Sequence, residues 1–135
     1  MKKGLEKYCI NESETLINAI ERIDQNNMRS VFVIQKNEKV VGVVSQGDIL
    51  RAIIMGSNLY VQVNKIMTTS FRYLKKKDIK EAIKLFKTNY FSLIPVLTDC
   101  FRLKDVILFT DLINILELHE NAKNNIRKIE RTKKE

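Results

Sequence analysis

Apolar and polar positions follow two different periods along the chain. From Thr15 to Asn26, Leu16, Ala19, Ile20 and Ile23 recur at spacings of three and four, which predicts an amphipathic helix. Ser30 to Gln35 is a short branched run of the kind a buried strand uses. Lys36 to Lys39 is a polar turn, and Val40 to Val44 is the partner strand. Ser45, Gln46 and Gly47 break the run. Asp48 then opens a second helix carrying Ile49, Leu50, Ile53 and Ile54, which stops near Gly56. The stretch Gly42 to Ala52, GVVSQGDILRA, therefore reads as strand, tight turn and helix, with a hydroxyl and a carboxylate at the junction. The N–H groups that open a helix lack intrahelical partners and favour an anion. Asp48 is placed either to cap that helix or to accept bonds from the vicinal hydroxyls of a ribose.

The same order returns 63 positions later. Asp78 to Asn89 is predicted as a helix with Ile79, Ala82, Ile83 and Phe86 on one face. Ser92 to Leu97 is a strand, Thr98 to Lys104 a turn region, and Asp105 to Phe109 a strand. Asp111 then opens a helix with Leu112, Ile113 and Leu116. The shift needs no gap: Ala19 meets Ala82, Val33 meets Val96, Val43 meets Val106, and Asp48 meets Asp111. One unit of about 60 residues barely buries a core alone, whereas two packed sheet to sheet do. The fold class expected is α+β, two helix-strand-strand-helix repeats forming a pseudo-twofold pair.

Composition narrows the function. In 135 residues, 44% are hydrophobic and 30% charged, ordinary for a globular protein. No apolar run approaches the ~20 residues of a membrane span, and no signal peptide opens the chain, so no membrane association is expected. Cys9 and Cys100 form neither a metal spacing nor a disulfide framework, which points to the cytoplasm. With His119 as the only histidine, nucleophile-base pairs have little to work with. No metal site, catalytic residue or required cofactor is expected, and an enzyme is the least expected class. The net charge is +8, and half of it lies between Asn121 and Glu135. That tail, and the cluster Lys75, Lys76 and Lys77, are solvated faces or attract phosphates of a nucleotide or nucleic acid. No basic-aromatic stripe accompanies them, so nucleic acid is not the expected partner.

This duplicated unit resembles the CBS domain, and the tandem resembles the Bateman module, over about residues 4 to 118. Gly42-Val43-Val44-Ser45-Gln46-Gly47-Asp48 fits the family's glycine, two apolar residues, Ser or Thr, two variable residues and Asp. Val63-Asn64-Lys65-Ile66-Met67-Thr68-Thr69 resembles the entry into a second repeat. The resemblance implies a first repeat over 4–62, a second over 63–118, and a basic helical or disordered tail over 119–135. It implies a regulatory, ligand-sensing module, not an enzyme, standing alone or as a fragment of a nucleotidyltransferase, that binds AMP, ATP or S-adenosylmethionine between the repeats and controls a partner domain or protein, with a homodimer expected. Carried over, Asp48 would take the ribose, Ser45 would lie near ribose and phosphate, and Arg29 would meet phosphate. Thr69, Leu74, Phe91 and Ser92 would form the opposite wall, with Leu74 and Phe91 sandwiching the base. In the second cleft Asp111 is present, but Leu108 replaces the hydroxyl residue, Asp105 the glycine, and Ser92 stands where the first repeat has Arg29. Its opposite wall is expected near Ile10, Asn11, Val31 and Phe32. One competent site, or none, is therefore expected. The run from Ser45 to Met67 also resembles modules fused ahead of sugar-nucleotidyltransferase domains, so a fused or associated nucleotidyltransferase is a candidate partner. The alternative is a structural dimerisation module with a degenerate, empty cleft.

Overall fold

The structure, a computed structural model, describes residues 1–134. Its elements are β1 (Cys9–Asn11), α1 (Leu16–Asn26), β2 (Ser30–Ile34), β3 (Val40–Ser45), α2 (Gln46–Ile54), α3 (Ile79–Thr88), β4 (Leu93–Leu97), β5 (Leu103–Leu108) and α4 (Phe109–Lys134). Short 3-10 turns precede β1 at Glu6–Tyr8 and enter the second half at Val63–Lys65. The α+β class and the repeated order are as expected. Each helix start has a chemical cause. Thr15 and Asp78 accept side-chain bonds from Asn18 N–H and Glu81 N–H, capping α1 and α3. Past α2, Gly56 adopts φ +84 and its N–H meets the Ile53 carbonyl, ending the helix where the sequence does.

The first sheet has the order β1-β2-β3, with β1 parallel and β3 antiparallel to β2. The second pairs β4 with β5, and Leu74 adds a parallel bridge to Val96 where the first sheet has β1. Both hairpins carry a bulge at the same place. Val33 pairs with Gly42 and Ile34 with Val40, leaving Val41 extra; Val96 pairs with Asp105 and Leu97 with Leu103, leaving Lys104 extra. Val41 and Lys104 are 63 residues apart, so the internal repeat extends to an irregularity in the backbone.

Alternation of side chains builds three cores. Val31, Val33 and Val44 face α1 and α2, meeting Leu16, Ala19, Ile23, Ile49 and Ala52. Ile94, Val96 and Ile107 face α3 and α4, meeting Ala82 and Leu112. Between the sheets lie Cys9, Phe32 and Val40 from the first and Leu93, Leu97, Leu103 and Val106 from the second. The layers are helix, sheet, sheet, helix, and the central core joins the two halves.

Two expectations are corrected. Helix α2 begins at Gln46 and α4 at Phe109, so Asp48 and Asp111 occupy the third helical position and do not open their helices. Strand β5 begins at Leu103, because the bulge at Lys104 restores its pairing to Leu97. The tail continues α4 as helix through Lys134, while Glu135 lies outside the described residues. No helix among the described residues is long and apolar enough to cross a membrane.

Candidate functional site

Where β3 passes into α2, the chain builds a capping box. Ser45 is the N-cap: its hydroxyl accepts from Asp48 N–H at 3.1 Å. In return Asp48 Oδ2 accepts from the Ser45 N–H at 2.9 Å and the Ser45 hydroxyl at 3.0 Å. The other carboxylate oxygen has different partners. Oδ1 accepts from Arg51 Nη2 at 2.8 Å and from the Thr68 hydroxyl at 3.1 Å. The Asp48 side chain is 9% exposed, while that of Arg51 is 69% exposed. Oδ2 thus fixes the helix start, and Oδ1 is held by a solvent-facing guanidinium and a hydroxyl that can exchange.

Thr68 reaches Asp48 because its backbone pairs with Val43, with N–H···O distances of 2.9 and 2.8 Å. Gly42 lets this segment lie close, since a Cβ there would meet Met67 Sδ at 2.6 Å. Gly47 sits beneath the Arg51 guanidinium, 3.3 Å from where its Cβ would be.

These residues form one wall of a cavity of about 550 Å³. Arg29, Ser45, Gln46, Gly47, Asp48 and Arg51 come from the first half, and Phe71, Arg72, Tyr90, Phe91 and Ser92 from the second, with Thr68 between them. Its charged groups are three guanidinium groups, Arg29, Arg51 and Arg72, against the single carboxylate of Asp48. Among the described residues only Arg51 of the three is in an ion pair. Arg29 is exposed and sits in the left-handed region at φ 65. The turn that holds it is pinned by buried Asn26, whose amide donates to Lys7 O and Ser30 O at 3.0 and 3.1 Å and whose Oδ1 accepts from Met28 N–H at 2.7 Å. The Arg29 carbonyl accepts the first N–H of α2, from Gln46, at 2.9 Å. Ser92 makes the same bond to Phe109 at 2.9 Å, so Ser92 does occupy the repeat position of Arg29.

Of the residues singled out in the sequence, Asp48, Ser45, Arg29, Phe91 and Ser92 come together in this cavity. The Ser92 hydroxyl donates to the Met28 carbonyl, tying the two halves across the cleft. Thr69 and Leu74 do not line the cavity. Thr68 rather than Thr69 reaches Asp48, and Leu74 packs into the α3–α4 core at its bridge to Val96, while Phe71 and Arg72 line the cleft. Arg51 and Arg72 were missed as site residues. The signal for Arg51 was its position one helical turn after Asp48; Arg72 gave none, because it lies in an irregular segment ahead of the single bridge at Leu74.

The second cleft differs as the sequence led one to expect in composition, but not in its wall. Asp111 is exposed. Ile10, Val31 and Phe32 are at most 2% exposed, packed inside cores because both faces of β1 and β2 are covered. Half-buried Asn11 spends its Oδ1 on the N–H and hydroxyl of Ser13. Asp105, in the place of Gly42, meets Lys2 at 3.5 Å and Lys77 at 3.7 Å and accepts from Val106 N–H at 2.8 Å. Burial alone would raise its carboxyl, but Val106 N–H, Lys77 and Lys2 together hold it below its ordinary value.

With this geometry in view, comparison with known proteins gives the fold. Residues 4–55 match the family model of the CBS domain. The whole is a CBS domain pair in fold: the AcuB protein of Vibrio cholerae is 25% identical, with a TM-score of 0.72 over 84% of this chain and 88% of that one. A CBS domain protein from Pyrobaculum aerophilum, solved in complex with AMP, is 20% identical, with a TM-score of 0.67 over 83% of this chain and 90% of its own. Among curated proteins, an uncharacterized 17.7 kDa protein from the bps2 3′ region of Acidianus ambivalens is 24% identical over 116 residues, 83% of this chain and 69% of its own.

Proposed function

We propose that the cleft containing Asp48 binds an adenosine nucleotide, and that occupancy changes the packing of the two repeats so as to control a partner domain or protein. The observation that carries this reading is the division of labour within Asp48. Oδ2 is locked in the capping box, while Oδ1 takes both its bonds from groups on the cavity wall. A ribose diol donates two hydroxyls and replaces those bonds in kind. Arg51 and Thr68 are then released, and Arg51 joins Arg29 and Arg72 in meeting phosphate oxygens. Exchanging an exposed guanidinium costs little, since surface pairs are worth about 0–1 kcal/mol. Phe71 and Phe91 offer the apolar surface a base needs. Three guanidinium groups favour AMP or ATP over S-adenosylmethionine, whose sulfonium is itself positive. The Pyrobaculum protein of the same fold, solved with AMP, supports the ligand class.

Phosphate contacts are the basis of asymmetry between the clefts. The second cleft keeps Asp111 but has neither an N-cap hydroxyl nor an arginine at the Arg29 position, so it is read as binding nucleotide far more weakly. For the regulated partner, the run from Ser45 to Met67 supports a sugar-nucleotidyltransferase domain or subunit. The two free cysteines fit a reducing cytoplasm.

A second reading, a structural dimerisation module, is favoured by one observation: both carboxylate oxygens of Asp48 already have two partners each inside the chain. Thermal melts separate the two. AMP at 100 times its dissociation constant adds about 2.7 kcal/mol to a protein that binds it. An unchanged melting temperature with AMP and ATP, together with no small molecule released on denaturation and seen by mass spectrometry, would favour the empty module.

A further inference from the structure

Helix α4 runs 26 residues, roughly 39 Å, and leaves the core after Leu112. From Ile113 to Lys133 every side chain is exposed. A single projecting helix of this length is marginal in water without a packed face. One apolar stripe nonetheless runs most of its length, whereas Phe109, Ile113 and Leu116 lie on another side of its first turns: in the stripe Ile115 is 39% exposed, Leu118 69%, and Ile126 and Ile129 each 56%, with Ala122 between them. At 3.6 residues per turn these five form a single stripe, and Asp111 and Lys133 lie at its two ends.

The spacing of that stripe is a palindrome. From Asp111 through Ile115, Leu118, Ala122, Ile126 and Ile129 to Lys133 the steps are 4, 3, 4, 4, 3 and 4 residues, symmetric about Ala122. Ile115 to Ile126 and Leu118 to Ile129 are each eleven residues, a repeat of 3.67 per turn that keeps the stripe nearly parallel to the helix axis.

We propose that α4 is a dimerisation helix that pairs with the α4 of a second copy of this chain in antiparallel register, with the twofold axis through Ala122. In that register Ile115 packs on the partner's Ile129, Leu118 on the partner's Ile126, and the two small Ala122 side chains meet at the closest approach. Asp111 faces the partner's Lys133 at both ends. Charge selects this direction. Asp111, Glu117 and Glu120 lie in the first half of the helix with no Lys or Arg, and Lys123, Arg127, Lys128, Arg131, Lys133 and Lys134 lie in the second against the single carboxylate of Glu130. Antiparallel pairing sets the acidic half against the basic half, whereas parallel pairing sets Asp111 against Asp111 and Lys133 against Lys133. The pairing is independent of the nucleotide reading and places the two nucleotide clefts at opposite ends of one rod.

The test uses the full chain in analytical ultracentrifugation. The wild type is expected to be a dimer at micromolar concentration. Ile126→Asp places a charge in the seam and is expected to weaken the dimer by at least about a hundredfold, with the melting temperature of the monomer retained because Ile126 lies outside all three cores. Asp111→Lys alone is expected to weaken it about tenfold or less, and Asp111→Lys with Lys133→Asp to restore it. Orientation is read by disulfide trapping in a Cys100→Ser background: Asp111→Cys with Lys133→Cys cross-links between the two positions, and Asp111→Cys alone does not. A monomeric wild type, a dimer insensitive to Ile126→Asp, or cross-linking of Asp111→Cys to itself would each overturn the proposal.

Discussion

Arg29→Gly is expected to leave the protein as stable or more stable while weakening its hold on phosphate. Arg29 sits at φ 65, where a side chain costs about 1 kcal/mol or more. Glycine relieves that strain, and gives back about 0.5–1 kcal/mol through the freedom it adds to the unfolded chain. The backbone bond from Gln46 N–H to the residue 29 carbonyl survives the change. The net effect on folding is between zero and about 1 kcal/mol of stabilisation. Binding moves the other way. A charged hydrogen bond to phosphate is worth about 1.5–3 kcal/mol, so AMP should bind about ten- to a hundredfold more weakly. Adenosine, which has no phosphate, should bind the variant and the wild type alike. Urea denaturation gives the first quantity and titration calorimetry with AMP and adenosine the second. A variant destabilised by more than 1 kcal/mol would show that the side chain is structural. Unchanged AMP affinity would show that Arg29 does not reach the phosphate.

Other consequences follow from the same geometry. Asp48→Ala removes half of the capping box and the bond to Thr68, and should cost about 1–3 kcal/mol in a denaturant melt; a loss near zero would mean that the box contributes nothing to α2. Asn26→Ala strips three bonds from a buried turn and should cost about 2–4 kcal/mol in the same assay, because the Lys7 and Ser30 carbonyls lose their donor. Burial pushes the Cys9 thiol up to about 12 from 9.0, overriding Arg22, which alone would lower it. The folded state therefore holds a proton that the unfolded chain gives up, so stability should fall as pH rises above 9.0 and go on falling to about 12. Cys9→Ala should flatten that part of the profile, and an identical slope in the variant would assign the loss to other groups.

Much of this architecture was legible because two periods and one repeat were written in the residues. Leu16, Ala19 and Ile23 mark α1 by spacing alone, and the same spacing 63 positions on marks α3. What escaped was whatever depends on pairing across distance. Strand β1 is three residues long, and its counterpart in the second half is the single bridge at Leu74, too short for any periodicity. That gap explains the misplaced wall. Residues 71 to 73 have no regular structure before Leu74 bridges to Val96, so no period in the sequence shows that Arg72 lines the cleft while Leu74 packs in the core. Likewise Ser45 and Asp48 were both visible, but which one caps α2 turns on where β3 ends, and that is decided by the pairing of Ser45 with Ser30. Asp48 and Asp111 stand at equivalent positions in the repeat, yet their surroundings separate them, and these reside in Leu108 and Ser92, which the sequence already distinguished.

Titration calorimetry with AMP on the wild type, Asp48→Ala and Asp111→Ala tests the central claim directly. One binding event per chain is predicted for the wild type, preserved in Asp111→Ala and lost or weakened by about 1.5–3 kcal/mol in Asp48→Ala. The reverse pattern, with Asp111→Ala abolishing binding and Asp48→Ala retaining it, would put the working site in the other repeat and contradict the account.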